Sequence, residues 1–175
     1  MQTTDPQDEL LDIVDMNNCV TGQATRAEIH AQQLPHRACH IIVFNSDDQV
    51  LVQLRSQTKD NNPGLWDSSA AGHVDTGETY LACACRELQE ELSLSVTADA
   101  LETSFLLPAS PLTGMEFAQI FKLVTDQQPQ ADPTEIADLV WCPRLSLDQW
   151  MADEEDSFTD VFREIWRLVQ ADSCQ

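Results

Sequence analysis

Three acidic side chains crowd the end of one short segment, ETYLACACRELQEEL at residues 78–92: Glu87, Glu90 and Glu91. The apolar spacing in this segment predicts a helix that buries Leu81, Cys85, Leu88 and Leu92 and leaves the three acids on its exposed side. Positions i, i+3 and i+4 are neighbours on a helix surface, so the three carboxylates can share one ligand. Two penalties fall on them. Like charges at that spacing repel by about 0.2–0.5 kcal/mol per pair, and acids in a last turn oppose the helix dipole by about 0.3–1 kcal/mol each. Lys or Gln would avoid both. A divalent cation removes both at once, because hard carboxylate oxygens are what Mg²⁺ or Mn²⁺ coordinates. On these residues alone, a solvated acidic face is the competing explanation.

The wider spacing decides between the two. From Gly72 to Leu94 the chain reads GHVDTGETYLACACRELQEELSL. This resembles the Nudix box, G-x5-E-x7-R-E-U-x-E-E-x-G-U with U aliphatic: Gly72, Glu78, Arg86, Glu87, Leu88, Glu90, Glu91 and Leu94 all match, and Ser93 stands where the box has glycine. The box glycine ends the helix, and serine is tolerated there at some cost. The resemblance implies a loop–helix–loop on an α/β (α+β) fold, the Nudix-type α/β/α sandwich with a mixed sheet, holding Mg²⁺ (or Mn²⁺) against a small-molecule diphosphate. It further implies that Glu87, Glu90 and Glu91 are metal ligands, joined by the backbone carbonyl of Ala71. Glu87, Glu90 and Arg86 then form the catalytic set. Arg86 orients the first carboxylate through a charge-assisted hydrogen bond, and Glu87 is the first choice of base for a metal-bound water that attacks phosphorus. Gly72 and Glu78 are the structural residues of the motif; Asp75 and Glu78 have the spacing of an N-capping pair. A further acid from outside the helix often completes such a site, and Glu135 is the better candidate, with Glu116 second.

The resemblance extends over most of residues 10–95, where LDIVDMNNCVTGQATRAEI, LPHRACHIIVFN and VLVQLRSQTKDNNPGLWDSSAAGH look like the Nudix branch that contains isopentenyl-diphosphate isomerases and their hydrolase-like relatives. Those isomerases use a catalytic cysteine just before the Gly-His pair, together with histidine metal ligands. His36 and His73 match two of the histidines, but Ala71 stands at the cysteine position, and alanine cannot move a proton. The box here is also intact. Both features favour hydrolysis over isomerisation, and the intact box also disfavours silent diphosphate binding. By the same resemblance, Arg55 and Lys59, with Arg37 behind them, are the candidates for holding the diphosphate. His36 and His73 are read here as structural hydrogen-bonders, and His30 and His40 receive no role. Trp66 suits a core position better than a stacking one.

The rest of the chain must position this segment. Its 175 residues suggest one domain, 1–175, with the box at 72–94, and 42% apolar residues suffice for a core. Nine basic against 30 acidic residues give a formal charge of −21, which argues against a nucleic-acid duplex or an anionic membrane as partner. No apolar run spans a bilayer and the N-terminus lacks a signal pattern, so the expected location is cytoplasmic; a homodimer is left open. The six cysteines have no zinc-ribbon spacing and read as reduced packing residues. Strands are predicted on either side of Asn17-Asn18, a hairpin at 39–44 and 50–54, further strands at 117–124 and 139–141, a short helix at 26–33 and a last helix near 158–169.

Overall fold

The computed structural model describes residues 3–172, so Cys174 lies outside the described residues. In chain order the elements are β1 (Leu10–Val14), β2 (Val20–Thr25), α1 (Arg26–Gln32), β3 (His36–Phe44), β4 (Gln49–Arg55), β5 (Trp66–Asp67), β6 (Ala70–His73), α2 (Tyr80–Leu92), β7 (Glu102–Leu107), β8 (Glu116–Val124), β9 (Ile136–Pro143), α3 (Arg144–Asp153) and α4 (Asp160–Asp172). Strands β1 and β2 form a separate antiparallel hairpin. It hands over to α1 through a capping box, in which Thr25 and Glu28 each accept the other's backbone N–H.

The remaining seven strands form one mixed sheet. Its centre is β3, which runs parallel to β8 from His36–Glu116 to Phe44–Val124 and antiparallel to β6 from Ala38–His73 to Ile41–Ala70. Alternation along the central strands feeds two cores. Cys39, Ile41, Val43 and Leu51 face α2, with Leu88 and Leu92; Ile42, Phe44, Val50, Val52 and Ile120 face α4, with Phe162, Ile165 and Trp166. A sheet covered on both faces explains the unbroken apolar run CHIIVF. The fold is the α/β/α sandwich. Trp66 packs edge-on against Trp150, with 4.9 Å between ring centres, in the second core.

The expected hairpin of β3 and β4 exists only at its tip, the pair Phe44–Val50. Beyond it β6 takes the edge of β3, and β4 pairs instead with β9 along its whole length. Buried backbone groups left at this divergence need partners. Ser69 supplies them: its Oγ accepts from Val43 N at 2.8 Å and donates to Leu51 O at 2.6 Å. Strand β7 and helix α3 are absent from the sequence expectation. β7 is an outer strand with mostly exposed or half-buried residues, and α3 buries only Leu147, so neither shows a strong apolar period.

Helix α2 begins two residues later than expected, with Thr79 as its cap, accepting from Ala82 N. The Asp75–Glu78 pair closes the preceding turn instead: Glu78 N donates to Asp75 O, and Asp75 N to the Glu78 carboxylate. Ser93 ends the helix in the left-handed region at φ 56°. The buried face is broader than the apolar stripe suggests. Glu87 and Glu91 are buried alongside Cys83, Ala84, Leu88 and Leu92, and of the three acids only Glu90 is exposed. The expectation of an exposed acidic face is therefore corrected for two of its three members.

Candidate active site

Helix α2 lies against β6, and its closest approach is made at a residue without a side chain. A Cβ on Gly72 would sit 1.9 Å from Glu87 Oε1 and 2.1 Å from its carboxyl carbon. Only glycine leaves room for the Glu87 carboxylate under the strand. Arg86 holds the surrounding groups together. Its Nη1 donates to Glu87 Oε1 at 2.6 Å and to Glu90 Oε2 at 3.1 Å. Its Nη2 reaches the His73 carbonyl at 2.9 Å and Glu78 Oε2 at 3.0 Å, while Nε reaches Glu78 Oε1 at 3.1 Å. Glu78 thus forms a two-pronged pair with Arg86, which fixes the arginine fork. Glu91 Oε2 accepts from the Ala71 amide at 3.2 Å and from Gln53 Nε2 at 3.3 Å.

Glu87, Glu90, Glu91, Ala71 and Glu135 all line one cavity of about 700 Å³. Burial raises the Glu87 carboxyl to about 7 even against the attraction of Arg86. Burial, reinforced by the neighbouring Glu87, pushes Glu91 well above the usual carboxylate range. Two buried carboxyls driven toward their protonated forms mark a place short of positive charge. All the donors there are oxygens, which fits Mg²⁺ or Mn²⁺.

The basic candidates differ in placement. Lys59 lines the cavity, wedged between Asp5 Oδ1 at 2.6 Å and the Glu135 carboxylate. Arg55 also lines it, 3.4 Å from Asp67 Oδ2 and bonded to the Asn61 carbonyl. Arg37 is not brought to the cavity. It donates to Asn18 Oδ1 and O and lies over the Tyr80 ring, pinning the β1–β2 turn. A further base on the cavity wall, Arg26, has no place in the sequence expectation; it contacts Asp5, Glu9 and Asp60. Asp5 therefore ties the segment before β1 to both Arg26 and Lys59.

A second cluster borders the same cavity. One nitrogen or oxygen from each of His30, His36, His73 and Glu116 lies within 4.8 Å of the others. His36 Nδ1 donates to the Leu34 carbonyl at 2.9 Å, which aims Nε2 inward. That atom is buried without a hydrogen-bond partner, 3.6 Å from Glu116 Oε1. His73 Nε2 lies 3.3 Å from the same oxygen, and its Nδ1 lies 3.7 Å from Glu9. Burial opposes charge on both partners, but the neighbouring imidazoles of His36 and His73 hold Glu116 well below the usual range, and the carboxylates of Glu116 and Glu9 raise His73 to about 9. His30 falls to about 4 through burial and the neighbouring His73 charge. The sequence showed His36, His73 and Glu116 but gave no reason to add His30, which reaches the cluster only through the placement of α1.

Comparison with known proteins addresses the family and the fold. The NUDIX domain model matches residues 34–162. An isopentenyl-diphosphate Delta-isomerase from Serratia proteamaculans is 32% identical over 96% of this chain and 95% of its own. An uncharacterized Nudix hydrolase from Yersinia pestis is 35% identical over 76% and 72%. The crystal structure of DR0079 from Deinococcus radiodurans superposes with a TM-score of 0.80 at 28% identity, covering 91% of this chain and 98% of that one. Box, fold and relatives converge, and the chain belongs to the Nudix family.

Proposed function

We propose that this Nudix hydrolase is a Mg²⁺- or Mn²⁺-dependent pyrophosphohydrolase that cleaves a diphosphate linkage in a nucleoside diphosphate derivative or a similar small molecule. The observation that carries this reading is the burial of Glu87 and Glu91, both raised above the carboxylate range, on the same cavity wall as Glu90. Glu87, Glu90, Glu91 and the Ala71 carbonyl would hold the metal, with Glu135 lining the same cavity. Bound there, the ion would offset the diphosphate charge and would lower the pKa of a water. Arg86 keeps Glu87 and Glu90 in fixed orientation through its contacts of 2.6 and 3.1 Å. Glu87, held by Arg86 on the cavity wall, is the candidate to accept the proton of that water. Lys59 and Arg55 line the cavity and are the candidates for holding the diphosphate, which would compete with the carboxylates of Asp5, Glu135 and Asp67 for them.

A panel of nucleoside diphosphates and triphosphates, dinucleotides, ADP-ribose and prenyl diphosphates, assayed with Mg²⁺ and with a chelator, tests the reading. Metal-dependent phosphate or nucleotide release supports it; no release from any compound at high enzyme concentration overturns it. The histidine cluster and the isomerase relative favour a second reading, isomerase-type chemistry with a metal held by His30, His36, His73 and Glu116. Three imidazoles and one carboxylate suit a transition ion better than Mg²⁺. Ala71 supplies no proton carrier, so conversion of isopentenyl diphosphate to its isomer without phosphate release is expected to be absent. Its appearance would replace the hydrolase reading.

A further inference from the structure

One polar residue occupies a position that the fold reserves for an apolar one. Along β4 the side chains alternate between the two cores: Val50 and Val52 face α4, and Leu51 faces α2. Gln53 continues the Leu51 row, and it is 1% exposed. A buried carboxamide is costly unless its hydrogen bonds are met, whereas leucine or methionine there would extend the core. Nothing in the pairing of β4 with β5 or β9 requires an amide, because those contacts run through the backbone. The contact that distinguishes Gln53 is with Glu91: Nε2 donates to Oε2 at 3.3 Å.

The direction of that bond matters. The Ala71 amide donates to the same oxygen at 3.2 Å. Among the described residues no hydrogen-bond donor reaches Oε1, so two donors fix one oxygen and leave the other for a ligand. One donor alone would let the carboxylate turn about its terminal bond, since that torsion is broad. Two donors on different elements, one from β4 and one from β6, define the carboxylate plane. The neighbouring Glu87 has its counterpart in Arg86, which the box supplies; Glu91 receives its support from outside the box.

From this geometry we infer that Gln53 is a positioning residue for Glu91, orienting its carboxylate so that Oε1 faces the metal. The inference rests on the metal-dependent reading above. Partners that orient a metal ligand typically change metal affinity or activity by about 10–100-fold when removed. Gln53→Met keeps the length of the side chain and suits its apolar neighbours while removing the donor. Gln53→Asn keeps the amide but withdraws it by one methylene, and serves where the methionine variant does not fold.

The experiment is a Mn²⁺ titration of the full chain followed by electron paramagnetic resonance, with Mg²⁺ activation measured in parallel. Gln53→Met is expected to weaken Mn²⁺ binding by about tenfold and to raise the half-activating Mg²⁺ concentration similarly. kcat at saturating metal should stay within a few-fold of the parent, and the melting temperature of the metal-free protein should not fall. An unchanged Mn²⁺ affinity overturns the inference, as does a loss of kcat that persists at saturating metal. Glu91→Gln separates this from failure of the underlying reading. If Glu91→Gln leaves Mn²⁺ binding intact, Glu91 is not a ligand and both fall; if it weakens binding while Gln53→Met does not, only the role of Gln53 falls.

Discussion

The two walls of the cavity carry similar numbers of ionisable groups in opposite electrostatic states. On the α2 wall, burial drives Glu87 and Glu91 upward, and Arg86 compensates only part of the charge. On the histidine wall, Glu116 is held low and His73 high, each stabilising the charged form of the other. A proton on His73 supplies there the positive charge that the carboxylate wall lacks. On the proposed reading, the carboxylate wall is the one whose buried charge a cation would relieve, and the histidine wall compensates its own. That is a stronger argument for the metal's place than a count of acids, because both walls are acidic.

The comparison breaks most sharply at Glu91. Glu91→Gln should reduce turnover by about 1000-fold, roughly 4 kcal/mol of transition-state stabilisation. It should also leave the metal-free protein at least as stable, since burial already favours an uncharged side chain at this position. Steady-state rates and a thermal melt in chelator check both halves. A variant that loses activity and stability together would show that Glu91 is structural.

The pH dependence sharpens the contrast next. A carboxyl raised from 4.5 to about 7 in the folded state binds protons more tightly there than in the unfolded chain. Stability therefore falls as pH rises through that window, by up to about 3 kcal/mol for Glu87 alone, with Glu91 acting in the same direction. His73, raised from 6.5 to about 9, stabilises fully below the lower value, and its contribution is lost as pH rises through the higher one. Metal-free melting temperatures should thus decline from about pH 5 to 9. Saturating Mg²⁺ should abolish the part below pH 7 and leave the part above it, because Mg²⁺ prefers oxygen to imidazole. If Mg²⁺ flattens only the alkaline part, the two walls have been assigned the wrong way round.

The walls differ as much in how readable they were. The carboxylates lie within one helical segment, so spacing alone brought Glu87, Glu90 and Glu91 together. Their burial was hidden, because it depends on Gly72 letting β6 approach to a distance that no helical pattern encodes. The histidine wall draws His30, His36, His73 and Glu116 from α1, β3, β6 and β8, and strand register assembles it: His36 pairs with Glu116, and Ala38 with His73. The strands themselves were legible where both faces are buried, as in β3, and illegible in β7, which is exposed along most of its length. The hairpin departs from its expected pairing beyond the tip because the insertion of β6 beside β3, sealed by Ser69, is a long-range event.

Breaking the histidine wall should cost less than breaking its counterpart. Glu116→Ala leaves His73 buried with only Glu9 opposite it, 3.7 Å away. The expected destabilisation is about 2 kcal/mol near pH 7, where the pair is intact. Under saturating Mg²⁺ the hydrolytic rate should drop by less than it does for Glu91→Gln. A rate loss as large as that of Glu91→Gln would mean that both walls bind the reacting group, and the contrast between them would disappear.

The smallest effect lies where the carboxylate wall ends. Ser93 closes α2 at φ 56° and ψ 27°, a conformation in which its Cβ crowds the backbone. Glycine avoids that strain but gains freedom in the unfolded chain, so the two effects partly cancel. Ser93→Gly should stabilise the protein by about 0.5–1 kcal/mol, a rise in melting temperature of about 1–3 °C for a chain of this size. Because Ser93 is exposed and its side chain is remote from the carboxylates' donors, kcat/KM should stay within about twofold. Ser93 N already donates to Gln89 O at 3.1 Å and Leu94 N to Leu88 O at 2.9 Å, so the helix end keeps its bonds whichever residue supplies the turn. A stabilised variant with reduced kcat would show that the strain at Ser93 is transmitted to Glu90 and Glu91, and that the carboxylate wall is tuned by its own terminus as well as by Arg86 and Gln53.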